Sequence, residues 1–309
     1  MRPFRFAVQT SHAPDITTWR QRARDAESMG YSTYYLPDHF GEQWGPLVGL
    51  TLAAEATERI RVGWLVLDND FRHPMELAKE VATLDLATEG RVEFGLGAGW
   101  MKTDYEQSGI AYDDPGTRVD RMEESLRILK RLWSGEPVDF KGEHYTLAGA
   151  VSHPRPFTRP HPPIVVGGGS KRVLSIAARE ADIIGFNTSL RSGAADRAAA
   201  AAAIAPKFDE RVQWVKDAAG DRFEDLELQC HTSFVVVTDD RPGVVDSMAG
   251  VFGVSPEEAL DVPIVVVGTV DEICETLQQR RERWGFSYWV VFSDSMAAFA
   301  PVVERLAGA

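Results

Sequence analysis

Two cysteines, Cys230 and Cys274, are all that the 309 residues carry. A pair so far apart in sequence builds neither a disulfide framework nor a metal cluster, and it points to a reduced, cytoplasmic setting. No apolar run is long enough to cross a bilayer. The start, Met1-Arg-Pro-Phe-Arg-Phe-Ala7, enters an apolar strand directly and lacks signal-peptide form. Positive charge is scarce: 33 Lys and Arg face 46 Asp and Glu, a net charge of -13. That balance argues against nucleic acid as the main partner. A local group of arginines can still oppose the overall charge and hold an anionic cofactor. With 44% hydrophobic residues, the chain can bury one large core or two ordinary domains.

Glycine, by contrast, is concentrated where it carries information. Arg91-Val-Glu-Phe-Gly-Leu-Gly-Ala-Gly-Trp100 reads as a buried strand running into Gly97, Ala98 and Gly99. Without side chains there, a ligand can approach the backbone. Pro163-Ile-Val-Val-Gly-Gly-Gly-Ser170 has the same form and leads into a helical pattern. Gly167, Gly168, Gly169 and Ser170 then stand before free helix N–H groups, a place that can hold a phosphate. The plainer reading of both stretches is a tight strand-to-helix turn. A lone G-x-G also lacks the full dinucleotide fingerprint.

Along the chain, strand and helix patterns alternate. Strands are expected at 4–9, 33–36, 61–67, 91–96, 164–166, 182–186, 226–237 and 287–292. Helices are expected at 16–29, 47–57, 74–87, 118–133, 173–179, 206–219, 271–284 and 296–306, with an alanine-rich surface helix at 193–205. Gly30 suits the end of the first helix, and Pro74 the start of the third. The beat breaks over about 100–162, which reads as an insertion between strands 4 and 5 covering one end of the fold. Eight strand–helix alternations predict a single (β/α)8 TIM barrel over 1–309, with chemistry at the strand C-termini. A doubly wound open sheet is the alternative. The barrel puts Gln9 and His12, Asp38-His39, Leu67-Asp68-Asn69, Gly97 to Trp100 and Gly167 to Ser170 at one end.

In this order and spacing, Pro37-Asp-His-Phe40, Phe71-Arg-His-Pro74, Gly90 to Trp100, Arg118-Val-Asp-Arg-Met-Glu-Glu124, Pro163 to Ser170 and Gly268-Thr-Val-Asp-Glu272 resemble the luciferase-like monooxygenase superfamily. They look most like its actinobacterial branch of coenzyme F420-dependent oxidoreductases. The resemblance covers nearly the whole chain. It implies a barrel holding a deazaflavin or flavin at the strand C-termini. It also implies a non-prolyl cis peptide after the third strand, here at Leu65-Val66 and leading into Leu67. The cofactor phosphate would lie on Gly167 to Ser170, helped by Lys171 and Arg172. In the F420-dependent glucose-6-phosphate dehydrogenases a histidine in the same Asp-His-Phe context takes part in catalysis. That role carries to His39, which would orient substrate or exchange a proton. Asp38 would orient His39 or bond backbone. The plainer role is packing at a strand end for His39 and an ordinary turn or cap for Asp38.

Those dehydrogenases carry an acidic glutamate where this chain has Trp100, which argues against glucose-6-phosphate as substrate. Trp100 and Trp44 would instead wall the substrate pocket with Gln9 and His12, or simply pack the rim. His73 reads as a helix-entry residue. His144, His153 and His161 have no metal-site spacing, and no metal is expected. The implied reaction is hydride transfer between F420 and a small organic substrate: an alcohol, ketone, imine or enone. The alternative is an FMN-dependent monooxygenase using reduced flavin and O₂. A basic rim of Arg61, Arg72, Lys171 and Arg172 would favour F420, whose tail is polyanionic. A member that has lost its cofactor is the non-catalytic alternative. By analogy with the superfamily, a homodimer is expected.

Overall fold

The computed structural model describes residues 1–188, 193 and 197–309. Eight parallel strands form its centre: β1 Arg5–Gln9, β2 Thr33–Leu36, β3 Arg61–Trp64, β4 Val92–Gly97, β5 Ile164–Gly168, β6 Ile183–Phe186, β7 Glu227–His231 and β8 Phe286–Phe292. Hydrogen bonding runs β3-β2-β1-β8-β7-β6-β5-β4. Val62 opposite Val92 and Gly63 opposite Glu93 join β3 to β4 and close the ring. This is the (β/α)8 barrel expected from the alternation, and the closure excludes the open sheet.

Helices follow the strands on the outside. Helix Ile16–Ser28 starts where the Asp15 side chain accepts the Thr18 N–H at 2.7 Å. It ends before Gly30, whose φ of 85° is the left-handed conformation that glycine adopts cheaply. Helix Pro74–Ala87 starts at His73, whose ring accepts the Met75 N–H at 3.1 Å, the helix-entry role expected of it. Leu, Val, Phe and Trp side chains fill the space between strands and helices.

Side chains alternate along each strand, so every second residue enters the barrel. A middle layer of Ala7, Tyr35, Val165, Ile183, Tyr288 and Val290 is fully packed. Below it, at the N-terminal end, the Glu93 carboxylate is clamped. It accepts from Tyr288 at 2.9 Å and from the Tyr35 hydroxyl, and pairs with Arg5 and with Arg61 at 3.1 Å. Burial alone would push the Glu93 carboxyl up; Arg5 and Arg61 outweigh it and hold it below the usual carboxylate range. This plug leaves the C-terminal mouth as the open end.

Several expectations need correction. The run 226–237 is two strands, not one. After Thr232-Ser233 the chain leaves the barrel, and Phe234–Val237 pairs outside it with Val265–Gly268. Ser233 and Phe234 both donate to Ile264 O, which turns the chain away. Helices Arg241–Phe252 and Pro256–Leu260 connect that pair and escaped the sequence reading. The proposed helix 193–205 lies partly outside the described residues; the described part holds Arg197–Ala201 and then a break before Ala205–Ala219. The insertion also has structure of its own, a helix Lys102–Ser108 and a hairpin Val138–Lys141 with Thr146–Ala150. No helix among the described residues is long and apolar enough to cross a membrane.

Candidate active site

The mouth is shaped where β3 ends. Leu65-Val66 is a cis peptide, as the family resemblance implied, and Leu67–Asp68 then rejoins the sheet beside β4. The Val66 side chain lies against three glycines. A Cβ on Gly97 would meet it at 2.6 Å, and one on Gly95 at 3.1 Å while striking Trp64 O at 1.9 Å. Gly95 and Gly97 therefore make room for the Trp64–Val66 bulge. On the far side Gly167 is more open: a Cβ there would lie 3.8 Å from Val66 and from Gly185 O.

His39 follows β2 on the loop at the same end. Its Nδ1 lies 2.7 Å from Asp104 Oδ2, and the other Asp104 oxygen accepts the Phe40 N–H at 3.2 Å. An ionised carboxylate only accepts, so beside one Nδ1 carries the proton, and in the neutral ring Nε2 is left as the acceptor. Trp100 meets the His39 ring edge-to-face, centroids 5.6 Å apart. Asp38 does not orient His39. It pairs with Arg72 at 2.5 and 3.0 Å and accepts the Asp68 N–H at 3.0 Å. Asp104 was missed because it sits 65 residues away, in a stretch that reads as polar turns. Its position on helix Lys102–Ser108, 4% exposed, was the only signal, and it is visible only in the folded chain.

Further acids line this edge of the mouth. The Tyr105 hydroxyl contacts Asp68 at 2.9 Å and Asp70 at 3.1 Å. Asp70 is also paired with Arg121 at 2.7 Å. Burial, then the charges of Asp70 and Asp38, push the Asp68 carboxyl up to about 7. Gly99 packs on this cluster, since a Cβ would reach the Tyr105 hydroxyl at 1.8 Å. Arg118 binds the carbonyls of Ala98 and Gly99 at 3.3 and 3.5 Å. The Cβ positions of Gly97 and Gly99 are thus taken by protein neighbours, while Ala98 and Gly99 stay half-exposed. A cavity of 280 Å³ lies against the Asp70–Arg121 pair, lined also by Asn69, Arg72, His73 and Tyr145 among others.

Other expected residues separate. The buried Gln9 ends β1, and its Oε1 has no partner. His231, which the sequence reading passed over, ends β7 with Nε2 likewise unpartnered. Desolvation pushes its imidazole down to about 4, so it is neutral at pH 7. Trp44 stacks on the buried Trp19 at 4.5 Å, a packing contact on one face. His12 is exposed and bonded to Ser11. Gly168 packs against Val173 of helix Lys171–Glu180, which Ser170 caps. Lys171 is exposed on the first turn of that helix. The basic rim does not form: Arg61 lies with Glu93 at the opposite end, Arg72 pairs with Asp38, and Arg172 pairs with Asp120.

Residues 1–248 match the family described as luciferase-like monooxygenase. Among curated proteins, the F420-dependent glucose-6-phosphate dehydrogenase of Amycolatopsis mediterranei is 32% identical over 165 residues, 51% of this chain and 49% of that protein. The FMNH(2)-dependent dimethylsulfone monooxygenase of Pseudomonas putida is 33% identical over 127 residues, 41% of this chain and 35% of that protein. The matched part of the chain thus spans about half the length of such relatives, or less. The coenzyme F420-dependent tetrahydromethanopterin reductase of Methanopyrus kandleri superposes with a TM-score of 0.79, covering 98% of this chain and 99% of that one. At 17% identity, that likeness shows the fold alone. A match over residues 1–248, carried by a closed barrel whose third strand ends in a cis bulge, makes this chain a member of the luciferase-like monooxygenase family.

Proposed function

We propose that the protein is an F420-dependent oxidoreductase that moves a hydride between the deazaflavin and a small alcohol, ketone, imine or enone. The observation that carries this reading is His39, held by Asp104 beside Trp100 at the barrel mouth. When bound, the deazaflavin supplies the two-electron hydride chemistry. The residues present suit such a group. A Cβ on Gly167 would meet nothing closer than 3.8 Å, Gln9 Oε1 and His231 Nε2 await polar partners, and the turn before Lys171 precedes free helix N–H groups.

The chain's own residues have a short list of tasks. Asp104 fixes the His39 tautomer. His39 Nε2 takes the proton from a substrate hydroxyl, or His39 returns it to a nascent alkoxide. Trp100 walls this corner and limits water. Gln9 and His231 offer neutral hydrogen bonds to substrate or ring. Asp38 acts indirectly, through Arg72 and the Asp68 backbone.

The likeness to the Pseudomonas putida enzyme keeps a second reading in play, an FMN-dependent monooxygenase. An anaerobic screen of alcohols and carbonyls against oxidised and reduced F420, followed by deazaflavin absorbance, tests the first. Turnover without O₂ supports it. No turnover there, with O₂ uptake on reduced FMN, establishes the second instead.

A further inference from the structure

Among the described residues three arginines are buried: Arg118, Arg211 and Arg280. Both terminal nitrogens of Arg280 are taken by the carbonyls of Leu260, Val262, Pro263 and Val265 at 2.8 to 3.0 Å. Both of Arg118 are engaged too, on Asp113 O, Gly99 O and the Tyr112 hydroxyl. Arg211 differs. It lies on helix Ala205–Ala219, 3% exposed. Nε donates to Gly169 O at 3.2 Å and Nη1 to Ala202 O at 2.8 Å, while the guanidinium covers the Phe208 ring at 4.9 Å. Among the described residues Nη2 meets no acceptor and no carboxylate pairs with the group. Nη2 is not among the sealed atoms either, so it keeps an opening.

A guanidinium keeps its charge, and a buried charge without a counter-ion is unfavourable. An anion reaching Nη2 removes that penalty. The place for one is adjacent. Gly169 precedes Ser170, which caps the ten-residue helix Lys171–Glu180. Ser170 takes the Val173 and Leu174 N–H groups, which leaves those of Lys171 and Arg172 for an outside acceptor. The neighbouring surface cations are poorly suited: Lys171 is exposed and Arg172 is engaged by Asp120.

We infer that Arg211 is the counter-charge for a phosphate group seated on the turn Gly167 to Ser170, donating from Nη2 while Nε holds the turn through Gly169 O. This rests on the reading that a phosphorylated deazaflavin or flavin binds at the mouth.

The test is a fluorescence titration of wild type, Arg211→Gln and Arg211→Lys with F420, with its phosphate-free deazaflavin core, with FMN and with riboflavin. Wild type is expected to prefer the phosphorylated member of a pair by roughly tenfold or more, and Arg211→Gln to lose most of that margin with the core's affinity kept within about twofold. No preference in wild type overturns the inference, as does an equal loss for both members. Should Arg211→Gln fail to fold, Arg211→Lys carries the test: the single-point ammonium must narrow the margin, and an unchanged margin overturns it. Wild type that takes FMN and refuses F420 defeats the F420 reading but leaves Arg211 to be judged on FMN and riboflavin. Binding of none defeats both.

Discussion

His39 owes its usefulness to Asp104, which reaches it from the insertion and fixes which ring nitrogen is free. His39→Ala is therefore expected to lower kcat by ~10²–10⁴ with cofactor affinity little changed. Asp104→Asn keeps an acceptor for Nδ1 but loses its charge, and should cost roughly tenfold in kcat, the rate equivalent of ~1.4 kcal/mol. Steady-state kinetics beside cofactor titration checks both; a variant that loses binding instead of kcat contradicts the assigned roles. Asp68 makes a separate prediction. Folded, it holds its proton up to about 7, while the unfolded chain releases it near the usual 3.8. Between those values the folded state binds more protons, so this group's contribution to stability falls as pH rises through the window and stays lost above it. Asp68→Asn removes that loss, by at most roughly 1.4 kcal/mol per pH unit across the window. Urea unfolding should find the variant's advantage over wild type larger at pH 8 than at pH 5. An equal difference at both pH values would show that Asp68 is ionised in the fold.

At the scale of elements, the bulge after β3 depends on what β4 lacks. A Cβ on Gly95 would strike the Trp64 carbonyl at 1.9 Å, and backbone does not yield as a flexible side chain does. Gly95→Ala should destabilise by at least the ~1–3 kcal/mol typical of overpacking, read by chemical unfolding. A variant as stable as wild type would mean that the strands slide apart freely there. The barrel itself was legible, because eight apolar runs alternate with helical spacing and glycine and proline mark the joints. Gly97 and Gly99 stood out in the sequence, but their purpose did not. Sequence cannot say whether an empty flank admits a ligand or a neighbouring strand, and here Val66 and Tyr105 fill one each. The apolar run Phe234–Val237 joined the seventh strand in the sequence reading because an apolar strand looks the same inside or outside a barrel. Asp104, His231 and Arg211 were invisible for one shared reason. Their significance lies in which partner they have or lack, and those partners are distant in the chain.

At the scale of the molecule, the barrel is closed at one end by the Glu93 cluster and faces outward at the other with His39, Trp100, Gln9 and His231. The overall charge of -13 is no obstacle to an anionic cofactor when buried arginines are placed locally. Membership of the luciferase-like family leaves two chemistries, and the choice of ring decides between them. The most direct measurement is a titration of the purified protein with F420 and, separately, with FMN, following tryptophan fluorescence. The chain has eight tryptophans, with Trp100 against His39 at the mouth. The account predicts F420 binding at ~1 μM or tighter and FMN binding far weaker. Tighter binding of FMN would contradict it, and binding of neither would remove the enzyme reading altogether.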